Sequence, residues 1–100
     1  MTGQERKFLI GRDNRCDIVL DDPSVSRHHA ELLVFDDGLV FYTDCASRLG
    51  SQLLRDGRRE PLHQEVLMPG DHLVLGELEL PCEALLARVQ ALMPNPQRRS

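Results

Sequence analysis

An all-β sandwich of mostly antiparallel strands, closed by a short C-terminal α-helix, is the fold class this sequence predicts. Two patterns carry that reading. Between Lys7 and Leu80 the chain is a succession of short apolar runs broken by Gly, Pro and Asp clusters, and many short strands at such spacing read as a sandwich rather than an α/β fold. After Pro81 the period changes, with Leu85, Val89 and Leu92 at i, i+4 and i+7, the spacing of one helix face. A chain of 100 residues, 41% apolar and 28% charged, is large enough to bury one core without metal or disulfide staples.

Taken in order, Lys7 to Ile10 is an apolar segment that reads as a buried strand, stopped by Gly11, and its end delivers Arg12. Asp13-Asn14-Arg15 is a turn cluster and Asp17 to Leu20 a second strand, broken at Asp21-Asp22-Pro23-Ser24 because proline cannot donate to a ladder. The loop then runs to about Arg27. His29 to Phe35 and Leu39 to Thr43 form a hairpin around Asp36-Asp37-Gly38, where Asp and Gly supply the left-handed conformations of a tight turn. Asp44 to Gly50 is polar and loop-like. Gln52 to Leu54 and Arg58 to Leu62 are strands joined at Asp56-Gly57, and Pro69-Gly70-Asp71 turns the chain into a last hairpin, His72 to Leu75 and Glu77 to Leu80. The expected organisation is a sandwich over residues 1–82, an amphipathic helix over 83–93 packed on it, and a disordered tail over 94–100. That helix is alternatively a docking element for a partner or a second protomer.

Charge and cysteine content exclude several classes. A net charge of −4 argues against a general nucleic-acid binder. No apolar run approaches the roughly 20 residues that span a bilayer, and the N-terminal stretch is too short for a signal peptide, so a cytoplasmic location without membrane insertion is the expectation. Cys16, Cys45 and Cys82 are odd in number and show no CxxC or Cys/His spacing, which suggests neither disulfides nor zinc. No metal or other cofactor is expected. Of the 12 cationic residues only Lys7 is a lysine, and Arg12, Arg15, Arg27, Arg48, Arg55, Arg58 and Arg59 fall in or beside predicted loops.

Three loop segments stand out: Gly11-Arg12, Asp22 to Ala30, and Ala46 to Ser51. Each contributes an arginine and the last two add serines, a set suited to a tetrahedral dianion because guanidinium forks and hydroxyls donate to phosphate oxygens. The competing reading is ordinary polar loops, with Arg27 or Arg48 lying along the rim against Asp22 or Asp44. Ser26, His29 and Asp44 are the residue types of a hydrolase triad, but no Gly-x-Ser-x-Gly elbow and no Walker loop are present. Catalysis is not expected.

Order and spacing add a further reading. Gly11-Arg12, then Ser26-Arg27-His28-His29, then Ser47-Arg48-Leu49-Gly50-Ser51 resembles the Gly-Arg, Ser-x-x-His and Ser-x-Asn-Gly-Thr signatures of the forkhead-associated (FHA) domain, over roughly residues 6 to 81. Pro69 to Gly76 resembles the family's closing Gly-Asp-x-Leu-x-Leu-Gly segment. The resemblance implies an eleven-stranded β-sandwich that reads phosphothreonine peptides through loops at one end, in signalling interactions. Arg12 and Ser26 match the phosphate-holding positions. Arg27 matches a peptide contact from the same loop, and Ser47, Arg48 and Leu49 fall in the third peptide-binding loop, Arg48 where other members place a phosphate-contacting hydroxyl or a basic residue. Gly11, His29, Gly50 and Ser51 match supporting positions, and His28 is expected to face solvent.

The departure is Leu49, where the family carries an asparagine that hydrogen-bonds the peptide backbone. Leucine makes no such bond. The implied partner is a phosphothreonine-containing protein, the substrate of a Ser/Thr kinase. The alternative is an FHA fold kept as a phospho-independent assembly module, using a sandwich face or the helix.

Overall fold

The computed structural model describes residues 5–93. Nine strands and one helix follow in chain order: β1 (Glu5–Gly11), β2 (Ile18–Val19), β3 (Ala30–Phe35), β4 (Val40–Asp44), β5 (Ser51–Arg55), β6 (Arg58–Pro61), β7 (Gln64–Val66), β8 (His72–Leu75), β9 (Leu78–Pro81) and α1 (Cys82–Leu92). They make two sheets, one of five strands in the order β2-β1-β3-β4-β7 and one of four in the order β6-β5-β8-β9. Every pairing is antiparallel except β1 with β2.

Strand alternation builds the core. Along β3, Ala30, Leu32 and Val34 are buried while Glu31, Leu33 and Phe35 turn outward, and β4 places Val40 and Tyr42 on the same inner face. From the facing sheet come Leu53, Leu73 and Leu75, and burying these apolar side chains is the dominant favourable term. The hairpin at Asp36 to Leu39 turns through Gly38 at φ +95°, and the Leu39 amide donates to Asp37 Oδ1. Asp56-Gly57 also takes positive φ at both residues, the geometry a two-residue hairpin favours.

Three expectations are corrected. The described residues form nine strands rather than eleven. The strand expected over Asp17 to Leu20 pairs only at Ile18 and Val19 and lies parallel to β1; from Gly11 the chain backtracks by only one residue, roughly 3 Å, to set Ile18 opposite Ile10, so a short loop suffices where longer parallel pairs need a crossover. β7 was not anticipated. Its sequence, Gln64-Glu65-Val66, carries no apolar run, and it exists because β4 offers an edge: Thr43, Tyr42 and Phe41 pair with Gln64, Glu65 and Val66.

The helix lies on the sandwich through Cys82, Leu85 and Val89, with Leu86 partly buried beside them. Arg88 Nη2 reaches the Val19 carbonyl of β2 at 3.3 Å. Leu92, expected on the buried stripe, is 48% exposed; Met93, one residue on, packs against the core instead, and Cys82 takes the place at the other end. Pro81 gives no side-chain cap; instead the Cys82 amide donates to the Asp71 carbonyl at 2.9 Å, satisfying one orphan donor of the first turn. Met93 leaves the helical region at φ −88°, ψ 147°, as a residue before proline prefers. The expected tail over 94–100 lies outside the described residues.

Candidate functional site

Backbone contacts draw the loops together at the end of the sandwich where β1 finishes and β3 begins. A Cβ on Gly11 would lie 1.9 Å from the Arg27 carbonyl oxygen, so only glycine lets β1 touch the loop before β3. Across that contact the Arg12 amide donates to the Ser26 carbonyl at 3.0 Å and the Asp13 amide to the Arg27 carbonyl at 3.3 Å. Arg12 is thereby set beside Ser26. Its guanidinium is oriented by one bond, Nε to the Val25 carbonyl at 2.9 Å, which leaves both Nη groups as donors.

His29 ties this loop to the next. It is fully buried; its Nδ1 accepts from the Ser26 amide at 3.0 Å, so Nε2 carries the proton and donates to the Gly50 carbonyl at 3.0 Å. The ring is the neutral Nε2–H tautomer. Burial lowers its pKa below the ordinary histidine value, against the opposing pull of the Gly50 carbonyl and of Asp44, whose Oδ1 lies 3.7 Å from Nε2. The Arg48 amide donates to Ser26 Oγ at 2.9 Å, so that hydroxyl accepts here and keeps its own proton to donate elsewhere.

Asp44 shapes the third loop. Its Oδ2 accepts from the Ser47 amide at 3.0 Å and its Oδ1 from the hydroxyls of Ser47 at 2.6 Å and Ser51 at 2.7 Å. Since Ser51 has one proton, the 2.7 Å bond between Tyr42 and Ser51 must be donated by the tyrosine. Burial works against the charged form of Asp44, but these donors outweigh it and hold its carboxyl below the usual range. Gly50, at φ +81°, and Ala46, at φ 55°, complete the bend; the alanine stands in a region that costs a side-chain-bearing residue about 1 to 2 kcal/mol. Ser47 therefore spends its hydroxyl proton on the loop.

The remaining site residues stand at the surface. Arg27 and Arg48 are exposed, and among the described residues neither guanidinium makes a hydrogen bond or ion pair. The rim pairs with Asp22 or Asp44 do not form: Asp22 Oδ1 is occupied by the amide and hydroxyl of Ser24, and Asp44 by the serines. His28 is exposed, and Leu49 is 49% exposed. No triad geometry is present, because His29 faces the Ser26 amide rather than its hydroxyl. Among the described residues no group of three or more His, Cys, Asp or Glu could hold a metal ion, and no helix is long and apolar enough to cross a membrane.

Sequence reasoning missed a second layer of support. A Cβ on Gly76 would lie 2.1 Å from the Ser24 carbonyl oxygen, and Ser24 Oγ accepts from the Glu77 amide at 2.8 Å while donating to Asp22. The β8–β9 turn thus braces the loop that carries Ser26. The local signals were the Asp22-x-Ser24 and Asp44-x-x-Ser47 spacings, at which a carboxylate bonds backbone and hydroxyl a few residues on.

A family model for the FHA domain matches residues 8–76. The chain belongs to the FHA domain family. An oxoglutarate dehydrogenase inhibitor of Corynebacterium efficiens is 37% identical over 70 residues, covering 70% of this chain and 46% of that protein; the chain thus spans about half the length of this relative. The FHA domain of the CT664 protein from Chlamydia trachomatis superposes with a TM-score of 0.66 at 31% identity, covering 76% of this chain and 73% of that one. The N-terminal FHA domain of Rad53p from S. cerevisiae, solved in complex with a phosphothreonine peptide, gives a TM-score of 0.57 at 27% identity over 71% of this chain and 56% of that one.

Proposed function

We propose that this FHA domain is a non-catalytic interaction module that binds a phosphothreonine-bearing segment of a partner protein through Arg12, Ser26, Arg27 and Arg48. Ser47 and Leu49 bound the peptide side, with Gly11, His29, Gly50 and Ser51 as scaffold. One observation carries the reading. Arg12 and Ser26 are held side by side by backbone bonds, each with donors left over, and Arg12 makes no ion pair among the described residues. A phosphothreonine brings a charge of about −1.5 to −2 and three acceptor oxygens, which such donors satisfy. The phosphothreonine peptide on the Rad53p domain supports the same chemistry. The partner would be a cytoplasmic target of a Ser/Thr kinase.

A second reading rests on Leu49. An apolar side chain 49% exposed at a binding loop suits a dry protein contact, and an FHA domain used for phospho-independent assembly would place it there. A relative named as an enzyme inhibitor fits a regulator that works by binding in either mode.

Calorimetric titration with a degenerate phosphothreonine peptide pool and unphosphorylated controls separates the two. Recognition of the phosphate predicts binding in the weak micromolar range and about tenfold tightening in Leu49→Asn, the worth of one restored hydrogen bond. Assembly through Leu49 predicts no phosphopeptide binding by either protein and loss of a native partner in the variant.

A further inference from the structure

An apolar groove lies at the end of the sandwich away from the Ser26 loop. Val34, Phe35 and Val40 of the β3–β4 hairpin form one wall and Leu86, Val89 and Met93 of α1 the other, around a volume of about 500 Å³. Glu5 and Arg6, at the start of β1, pair with Phe35 and Val34 at this end. The seven residues of β1 then run roughly 20 Å to Gly11, so an occupant of the groove leaves the loops of Arg12 and Ser26 clear. Leu86 and Met93 are only partly buried, and Leu39 and Leu92, the chain neighbours of Val40 and Met93, are 49% and 48% exposed. Apolar surface gathered in one place marks an interaction site, which scattered surface leucines do not.

The rim of the groove is negative. Asp36 lines it and Asp37 follows; both are exposed, and neither makes an ion pair among the described residues. Asp37 Oδ1 accepts the Leu39 amide, a bond that leaves its charge in place. With Glu5 and Arg6 beside them, three carboxylates stand against one guanidinium. The helix adds to the imbalance: its C-terminal half forms the second wall, no basic residue stands in its last turn, and Arg88 is turned to the Val19 carbonyl. Among the described residues the negative pole of the helix dipole is therefore uncompensated.

We propose that this groove is a second docking site, for a segment of a partner protein that sets large apolar side chains between hairpin and helix and carries Lys or Arg beside them. The apolar side chains supply the affinity. The cations meet Asp36, Asp37 and the carbonyl end of α1, fixing the direction of the segment, and the same rim rejects an acidic flank. A basic partner fits better than a second copy of this chain, whose net charge of −4 would meet the acidic rim. The proposal is independent of the phosphothreonine reading.

The test is an NMR titration of the isotope-labelled full chain with two degenerate peptide pools, each carrying Leu, Phe or Trp at two positions one helical turn apart, one pool flanked by Lys and Arg and the other by Glu. The basic pool should shift the amides of Phe35, Gly38, Gln90 and Met93 saturably and bind about fivefold tighter than the acidic pool at low salt, a ratio that shrinks as salt is added. Asp36→Lys, in an exposed turn, should abolish that preference, and Met93→Glu should weaken both pools about tenfold. Equal affinity of the two pools, no saturable shift at these amides, or shifts confined to the Ser26 and Arg48 loops overturns the proposal. Two other occupants have their own signatures, and either result also overturns it. A second copy would give concentration-dependent shifts at the groove in the free protein and a doubled mass in light scattering. The chain's own C-terminal arginines would give peptide binding only in the double variant Arg98→Glu, Arg99→Glu.

Discussion

Arginine serves opposite ends of β5 in opposite ways. At the far end Arg55 is locked: Nε and Nη2 donate to the two oxygens of Asp71 at 2.9 and 2.8 Å, and Nη2 also reaches the Val66 carbonyl at 2.8 Å. Asp71 is buried and accepts from the Met68 amide as well. The fork from Arg55 holds the Asp71 carboxyl below its usual value, and Asp71 in turn raises the arginine. About 13 Å away, where β5 starts at Ser51, Arg12, Arg27 and Arg48 have no carboxylate partner among the described residues. A guanidinium whose acceptors are built into the fold is structure. One whose acceptors are absent is free to take an anion supplied from outside, as the proposed phosphothreonine site requires.

The largest expected effect tests the structural end. Asp71→Ala removes two charge-assisted bonds and strands the Met68 amide, while Arg55 keeps the Val66 carbonyl and Glu65 at 3.5 Å; the loss should be about 3 kcal/mol. Chemical denaturation should show the loss, and any folded fraction should still bind phosphopeptide as wild type does. The pH dependence has a definite sign: a carboxyl whose folded pKa is lowered contributes stability above its unfolded pKa, near the ordinary 3.8, and loses it as pH falls through the folded value.

Arg12→Ala tests the other end and should invert the pattern. Truncating one partner of a charged hydrogen bond across an interface costs about 2 to 5 kcal/mol, at least a roughly 30-fold loss of phosphopeptide affinity. The denaturation midpoint should stay close to wild type, since the group gives up one bond to Val25. The contrast breaks down if Arg12→Ala destabilises as much as Asp71→Ala, because both arginines would then be structural.

The smallest effect is at His29, a scaffold group inside the proposed binding site. Its folded pKa is lowered by burial, so the unfolded state takes up its proton first, and stability is full above about pH 6.5 and falls as pH drops below it. Protonated, Nδ1 can no longer accept from Ser26. Urea titrations between pH 7.5 and 5.5 should show a declining stability, with a shallower slope in His29→Gln. An equal slope in the two proteins would mean that other groups set the pH response.

Much of the scaffold is legible in local sequence, and the site only partly. Ala30 to Phe35 and Val40 to Asp44 declare themselves as a hairpin because alternation and Asp-Asp-Gly act within a few residues. The described helix begins at Cys82 and ends at Leu92 because the period changes at Pro81 and a proline follows Met93. β7 was not legible: a strand with no apolar run is made by the edge it joins. Nor could spacing say that Ser26 Oγ would accept from the Arg48 amide, 22 residues on, and so keep its proton to donate.

By itself, then, the sequence determined the class of fold, the position of most turns and the loops in which arginine and serine accumulate, because each follows from neighbours along the chain. Only the tertiary structure decided which arginines are neutralised. Arg55 and Asp71 lie 16 residues apart, and they meet because β5 pairs with β8 with Leu54 opposite His72. Ser26 and Arg48, 22 apart, meet because His29 bridges their loops. Such pairings depend on sheet register and on close backbone approach at Gly11 and Gly76, which exist only when the whole core is assembled.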